Sequence, residues 1–252
     1  MYKGSLAKYY DDIYHDKDYS AEAEFIENNS KLNKVLDIGC GTGTHIENLY
    51  KNDRVFVGVD PENEMLEMAK IKFANYSNVS FKNCDITKLY VINLHFDTII
   101  SMFNIVNHIL NKDDLIKYFK KIGSLLAENG TFIFDCFNGD AVFSDGPKDV
   151  SKEIKSRIEG GSYIVTYKPS FNSDTGDMVI DHNVKVIHSK HQEVIESFDY
   201  TLEHKIWLQN DLKPLIEGSD MRVEKVVSSS DYDKEADISD YKITFVCKGV
   251  TR

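Results

Sequence analysis

The segment Val35-Leu36-Asp37-Ile38-Gly39-Cys40-Gly41-Thr42-Gly43 sets three glycines at alternate positions between a short apolar run and a helix-period stretch. Glycine is needed where a backbone turns sharply and approaches a ligand with no Cβ in the way. The helix start that follows offers unpaired N–H groups to a negative group. A merely structural glycine turn is the bland alternative, and the strand–loop–helix context argues against it. A dinucleotide loop wants G-x-G-x-x-G/A, and Thr44 stands at its last position. The observed spacing suits a ligand without a pyrophosphate. Asp37 would organise the loop or reach an ammonium group through water. Val55–Val59 ends in Asp60, where a carboxylate can accept two ribose hydroxyls. The same Asp before Pro61 can also cap a helix.

These residues need a framework, and the pattern around them supplies one. Short β-rich runs at Lys34–Ile38, Val55–Val59, Val79–Phe81, Phe96–Ser101 and Thr131–Asp135 alternate with helical patterns at about Thr44–Lys51, Glu62–Ala74 and Asp113–Ala127. Alternation of this kind signals βαβ units and a parallel sheet. Leu115, Ile116, Phe119, Ile122, Leu125 and Leu126 form one apolar helix face. Beyond Gly146 the period becomes two, over Ser162–Lys168, Met178–His188 and Glu193–Ile206. Turns are expected at 172–176 and 189–192, and a helix at Gln209–Glu217. Two last strands, near Arg222–Val227 and Tyr241–Cys247, return to the first sheet. The expected fold is α/β: a Rossmann-like, seven-stranded, mostly parallel sheet with helices on both faces. Residues 1–145 and 207–252 form that domain, and 146–206 an inserted antiparallel β meander.

Composition excludes several function classes. Thirty Lys and Arg against 41 Asp and Glu give a net charge of -11, which disfavours nucleic acid as a main partner. The four cysteines show neither CxxC nor zinc spacing and read as small hydrophobes in a reducing compartment. Met1–Ser30 lacks a signal-peptide apolar region, and Thr98–Leu110 is too short to span a bilayer. The expectation is a cytoplasmic protein with no membrane partner.

Asp37-Ile38-Gly39-Cys40-Gly41-Thr42-Gly43 resembles the first motif of the class I S-adenosylmethionine-dependent methyltransferases. Asp60 and Asn83-Cys84-Asp85-Ile86 stand where that family has its ribose acid, its adenine acid and an apolar residue over the ring. Tyr9-Tyr10-Asp11-Asp12-Ile13-Tyr14, then Lys17-Asp18-Tyr19, Ser101-Met102-Phe103 and the meander resemble the sugar N-methyltransferases, from about Lys8 to Val227. Those enzymes dimethylate the amino group of nucleotide-linked deoxysugars. The resemblance implies a cofactor site built from Tyr10, Asp37, Gly39, Cys40, Gly41, Gly43, His45, Asp60, Pro61, Met65, Asp85, Ile86, Ser101, Met102 and Phe103. It implies that Tyr14 lines the acceptor site. Asp135-Cys136-Phe137-Asn138 and Asn107-His108 depart from the family pattern, which detaches the acceptor from the donor.

Methyl transfer from a sulfonium asks the protein mainly to align three atoms and exclude water. His108, just past the fourth strand, is the candidate base, against a packing or capping role. Asp135, Asn138 and Asp140 could ligate a cation as in catechol-type O-methyltransferases. The acid which that motif needs before them is not evident, and no metal is expected. His182, His188, His191 and His204 show no ligand spacing. The expected activity is methylation of a small molecule, foremost the amine of a nucleotide-linked amino sugar. The alternatives are O-methylation of another metabolite or surface-polysaccharide sugar, and a non-catalytic cofactor-binding module. Apolar residues on both faces of Met178–His188 predict a homodimer through the insertion.

Overall fold

Val35, Leu36 and Ile38 leave no room for solvent on either side of their strand, which is the mark of an interior parallel strand. In the computed structural model, which describes residues 5–85, 88, 94–157, 161–188 and 193–250, this is β1 (Lys34–Ile38). It lies between β2 (Val55–Asp60) and β4 (Phe96–Ser101). β3 (Val79–Asn83) pairs with β2, and β5 (Leu126–Phe137) with β4, all in parallel. The chain leaves β1 toward β2 and later returns to its other side at β4. The carboxyl ends of β1 and β4 therefore face the crevice where open α/β sheets take ligands.

Beyond β5 the sheet turns antiparallel through β12 (Lys242–Gly249), β10 (Met221–Ser228) and β11 (Asp231–Glu235). The order is β11-β10-β12-β5-β4-β1-β2-β3. Eight strands replace the expected seven. The extra one, Asp231-Tyr232-Asp233-Lys234-Glu235, is polar and exposed at the edge, so it carries no apolar alternation to betray it. Helices α5 (Lys112–Leu125) and α7 (Gln209–Glu217) cover one face through Leu115, Phe119, Ile122, Leu212 and Ile216. On the other lie α2 (Tyr19–Asn29), α3 (Thr44–Leu49) and α4 (Asn63–Lys72) with Phe25, Ile26, Ile46, Leu49 and Leu66. α5 starts where Asn111 accepts the Asp114 amide at 2.9 Å, an N-cap bond. It ends two residues before the expected Ala127, because Leu126 already pairs with Phe96 at the bulged start of β5.

The second sheet is antiparallel, in the order β6-β7-β8-β9: β6 (Val150–Lys155), β7 (Ser162–Asn172), β8 (Asp177–Ile187) and β9 (Val194–Lys205). β6 was not expected, since Val150-Ser151-Lys152-Glu153-Ile154-Lys155 buries only Ile154. The turn expected at 189–192 lies outside the described residues. Met178, His182, Val184 and Val186 of β8 are buried, and Tyr163, Val184 and Val186 pack against α1 (Ser5–Ile13). The opposite face carries Val179, Asp181, Asn183, Lys185 and Ile187. Asp181 accepts from Thr201 at 2.7 Å, and Asn183 donates to Asp199 at 2.8 Å. The outer face from which a homodimer is expected thus mixes two apolar side chains with polar ones bonded across the strands. α2, α6 (Gly139–Asp145) and α1 add helical structure that the strand–helix alternation alone did not delimit.

Phe134 is fully buried, 4.8 Å from the Phe245 ring and 5.0 Å from Phe132, at the seam between the parallel and antiparallel halves of the large sheet. Phe134→Ala should cost about 3–5 kcal/mol of unfolding free energy, read as a lowered urea midpoint with an unchanged slope.

Candidate functional site

The loop after β1 turns three times through left-handed backbone, with φ of 73° at Gly39, 52° at Gly41 and 82° at Gly43. A Cβ on Gly39 would stand 2.3 Å from Ile105 Cδ1, so a side chain there would have to displace Ile105 besides adopting a left-handed backbone. At Gly41 the reason differs: a Cβ would meet nothing within 4 Å. Its backbone borders open space, the cradle a ligand would need. The loop is fixed from β2. Val59 O accepts the Gly39 and Cys40 amides at 2.8 and 3.0 Å, while Asp60 accepts the Gly41 amide through one carboxylate oxygen and the Glu62 amide through the other, both at 2.9 Å. Asp60 thus clamps the loop and the entry to α4 together.

Two carboxylates here are buried. Desolvation pushes both Asp37 and Asp60 up to about 6; for Asp60 the two amides pull the other way. Asp37 Oδ2 has no hydrogen-bond partner among the described residues. A buried acceptor left unpaired costs about 1–3 kcal/mol. Next to it, His45 Nε2 lies 2.8 Å from Glu22 Oε2, Lys17 pairs with the same carboxylate, and Tyr19 sets its ring against His45 at 5.2 Å. Burial raises Glu22, but His45 and Lys17 outweigh it and hold the carboxyl below its usual range.

The remaining expected residues divide by position. Cys40 and Met102 are core residues, packed with Ile46, Phe56 and Ile100. Ser101 is fully buried at the end of β4. Met65 packs against α1, and Tyr10 stacks beside Tyr14 at 4.8 Å between ring centres. Pro61 is exposed, its carbonyl taking the Asn83 amide at 2.8 Å. Asp85 is half-buried beyond β3, and Ile86 lies outside the described residues.

α1 closes the site by two adjacent acids with opposite partners. Asp11 accepts from Thr42 and Thr44 of the glycine loop and pairs with Lys72 at 2.9 Å. Asp12, buried, accepts from Ser156 at 2.5 Å, the Arg157 amide at 3.0 Å and Tyr163 at 2.8 Å. One helix therefore ties the loop to the second sheet. In the sequence the pair reads only as part of a resemblance, because Asp11 is directed by a loop and a helix further along the chain and Asp12 by residues more than a hundred positions away.

At the end of β4, Phe103 and Asn104 both take left-handed backbone, φ 71° and 60°. Such non-glycine conformations cost about 1–3 kcal/mol each and collect at functional sites. Here the Asn104 amide donates to the buried Asp135 at 2.7 Å, and Phe103 meets the edge of Tyr14 at 5.1 Å. Asp135 lies inside β5, which runs two residues beyond the expected strand end. Asn138 donates to the carbonyls of Asp237 and Asp240, each at 2.9 Å, and Asp140 opens α6. Among the described residues no three His, Cys, Asp or Glu side chains are grouped to hold a metal ion.

Tyr14, Phe103 and His108 line one cleft of about 260 Å³ with Phe137, Tyr167, Tyr241, Lys148, Lys242, His182 and His204. Asn107 shapes it, accepting the Phe137 amide at 3.0 Å and donating to Lys205 O at 2.8 Å. His108 Nδ1 lies 3.2 Å from Glu203 O. A carbonyl only accepts, so Nδ1 carries the proton and Nε2 keeps the lone pair. Burial lowers the affinity of His108 for a second proton. Lys242 sits 5.3 Å over Phe103 and 5.5 Å over Phe137; burial pulls its ammonium down and Asp135 pulls it back up. Sequence reasoning missed Lys242, His182 and His204, which share no local pattern and meet only through strand pairing.

A family model for a methyltransferase domain matches residues 35–130. A solved S-adenosylmethionine-dependent methyltransferase from Clostridium acetobutylicum ATCC 824 is 26% identical, with a TM-score of 0.80 over 97% of both chains. YqeM of Bacillus subtilis (strain 168), whose name assigns it methyltransferase activity only provisionally, is 25% identical over 180 residues, 68% of this chain and 72% of its own. The Streptomyces venezuelae dTDP-3-amino-3,4,6-trideoxy-alpha-D-glucopyranose N,N-dimethyltransferase is 26% identical over 153 residues, 58% of this chain and 63% of its own. No helix among the described residues is long and apolar enough to cross a membrane. With the glycine cradle at the end of β1, the acid at the end of β2 and a neighbour of the same fold over nearly its whole length, the chain carries a methyltransferase domain of the S-adenosylmethionine-dependent kind.

Proposed function

We propose that the protein methylates the amine of a small anionic metabolite, in the first instance a nucleotide-linked amino sugar. The observation that carries this reading is the charge of the cleft. In a chain of net charge -11, the residues that line it include two lysines and three histidines and neither Asp nor Glu. Lysines attract an anionic acceptor, and the same positive surroundings disfavour an ammonium. An amine in this cleft is held as the free base, the form that can attack. The Streptomyces relative, named for a dTDP-linked amino sugar, supports the choice of acceptor class.

S-Adenosylmethionine supplies, when bound, an electrophilic methyl carbon on a positively charged sulfur. In this reading the open face of Gly41 and the unpaired Asp37 carboxylate hold its amino-acid end, and Asp60 takes ribose hydroxyls with the lone pairs its amide bonds leave over. Glu22 and Lys17 fix His45 beside Asp37. Tyr10 on α1 and Tyr14 just past its end close over the site and keep water out, and Phe103 sets the floor against Tyr14. His108 Nε2 accepts the proton that the amine nitrogen sheds once it is methylated.

Four outcomes are expected. With labelled donor and dTDP-3-amino-3,4,6-trideoxyglucose, the product mass should rise by methyl increments; no transfer to this or other amino-sugar nucleotides would overturn the reading. His108→Asn should lower kcat/KM by about tenfold; a loss beyond about a thousandfold with cofactor binding intact would mark an obligatory base and a hydroxyl acceptor. Asp60→Ala removes the partner of two amides and should weaken S-adenosylmethionine by about 2–3 kcal/mol in calorimetry. Asp37 binds a proton at about 6 in the free protein, and a cation beside it needs the ionised form. Affinity for S-adenosylmethionine should therefore fall as pH drops through 6, and Asp37→Asn should be weaker throughout with a shallower fall, the part that Asp60, also raised to about 6, supplies.

A further inference from the structure

His182 and His204 form part of the cleft wall, yet neither is explained by the transfer step. They are 7% and 4% exposed. Both nitrogens of His182, and Nδ1 of His204, have no hydrogen-bond partner among the described residues. Strand register puts Tyr167, His182 and Tyr200 side by side on β7, β8 and β9, with ring centres 4.7 and 4.3 Å apart. His204 lies 4.5 Å from the His108 ring and 5.5 Å from Phe137. A phenylalanine would fill either place in these ring stacks without burying an unpaired nitrogen. The sheet accepts the polar cost of two imidazoles that its own packing does not require.

We propose that His182 and His204 are acceptor-recognition residues, whose unpaired imidazole nitrogens hydrogen-bond hydroxyl or carbonyl groups on the acceptor away from the atom that is methylated. Lys148 and Lys242 take the anionic portion of the same molecule, and His108 faces the amine. The acceptor is thereby a polyhydroxylated or carbonyl-bearing anion rather than a simple aliphatic amine. Burial keeps His182 and His204 neutral, His182 titrating at about 4, so at physiological pH His182 offers one donor and one acceptor, and His204, bonded to the Leu202 backbone, offers its unpaired Nδ1. The inference rests on the amine-acceptor reading given above.

The test compares His182→Phe and His204→Phe with the full-length wild type, using dTDP-3-amino-3,4,6-trideoxyglucose as probe. Each variant should raise KM for the probe tenfold or more, leave kcat within about threefold, and leave S-adenosylhomocysteine affinity from calorimetry unchanged. Tm should stay level or rise, because an unpaired polar group has been replaced by an apolar ring. His182→Gln and His204→Gln, which keep a donor and an acceptor, should recover part of the KM. Unchanged KM in both Phe variants overturns this proposal and leaves the amine-acceptor reading standing. Raised KM accompanied by a fallen Tm, with no recovery in the Gln variants, overturns it as well, since that pattern belongs to packing. No turnover or binding of the probe by the wild type overturns the reading and the proposal together.

Discussion

The geometry of the catalytic crevice depends on one carboxylate. Asp60 accepts an amide from the loop after β1 and another from the entry to α4, and so holds two neighbouring strand ends in one arrangement. The loop could not adopt three left-handed glycines as a stable unit without such an anchor, since glycine gives up much conformational freedom on folding. Burying an acid for this purpose raises its proton affinity, and Asp37 beside it is raised as well and lacks a partner. The free protein thus concentrates negative, incompletely satisfied charge at this loop, where the proposed donor site lies.

From that anchor the structure is extended by α1. Its successive residues Asp11 and Asp12 project to different sides of the helix, one to the glycine loop and Lys72, the other to Ser156, Arg157 and Tyr163. Neighbouring positions on a helix do not face the same way, so a helix of nine residues can couple two sheets that share no strand. Tyr10 on the helix and Tyr14 just past its end, whose amide donates to Tyr10 O at 3.1 Å, are held in place with it. Donor site and acceptor cleft are consequently set relative to one another by charged hydrogen bonds more than by apolar packing.

The acceptor cleft has the opposite electrostatic character. Carboxylates gather around the loop, whereas lysines and neutral histidines line the cleft. Asp135 lies between them, accepting the Asn104 amide on one side and attracting Lys242 on the other. The strained backbone at Phe103 and Asn104 is held by this bond, and it delivers an aromatic ring against Tyr14 at the boundary of the two regions. On the proposed reading, a donor that loses positive charge and an amine that gains it meet where the protein's own field changes sign.

The local sequence determined the parallel half of the fold and the cofactor loop, because both are short-range properties. A buried strand, three alternate glycines and an acid ending the next strand are contiguous signals, and the apolar periods of α5 and β8 could be read within a single window. Where apolar alternation was missing, as in β6 and β11, the strands were not legible: their pairing is decided by neighbours already in place. The same limit hid the acceptor cleft. His108, His182, His204 and Lys242 come from four separate segments and are brought together by the register of β8 with β9 and of β12 with β5. Sequence spacing therefore made the histidines look unrelated. Cys40 and Met102, positions the resemblance marked as ligand contacts, also have their side chains in the core, which the motif alone does not show. Side-chain identity was enough to name the chemistry of the donor; only cross-strand geometry could say what surrounds the acceptor.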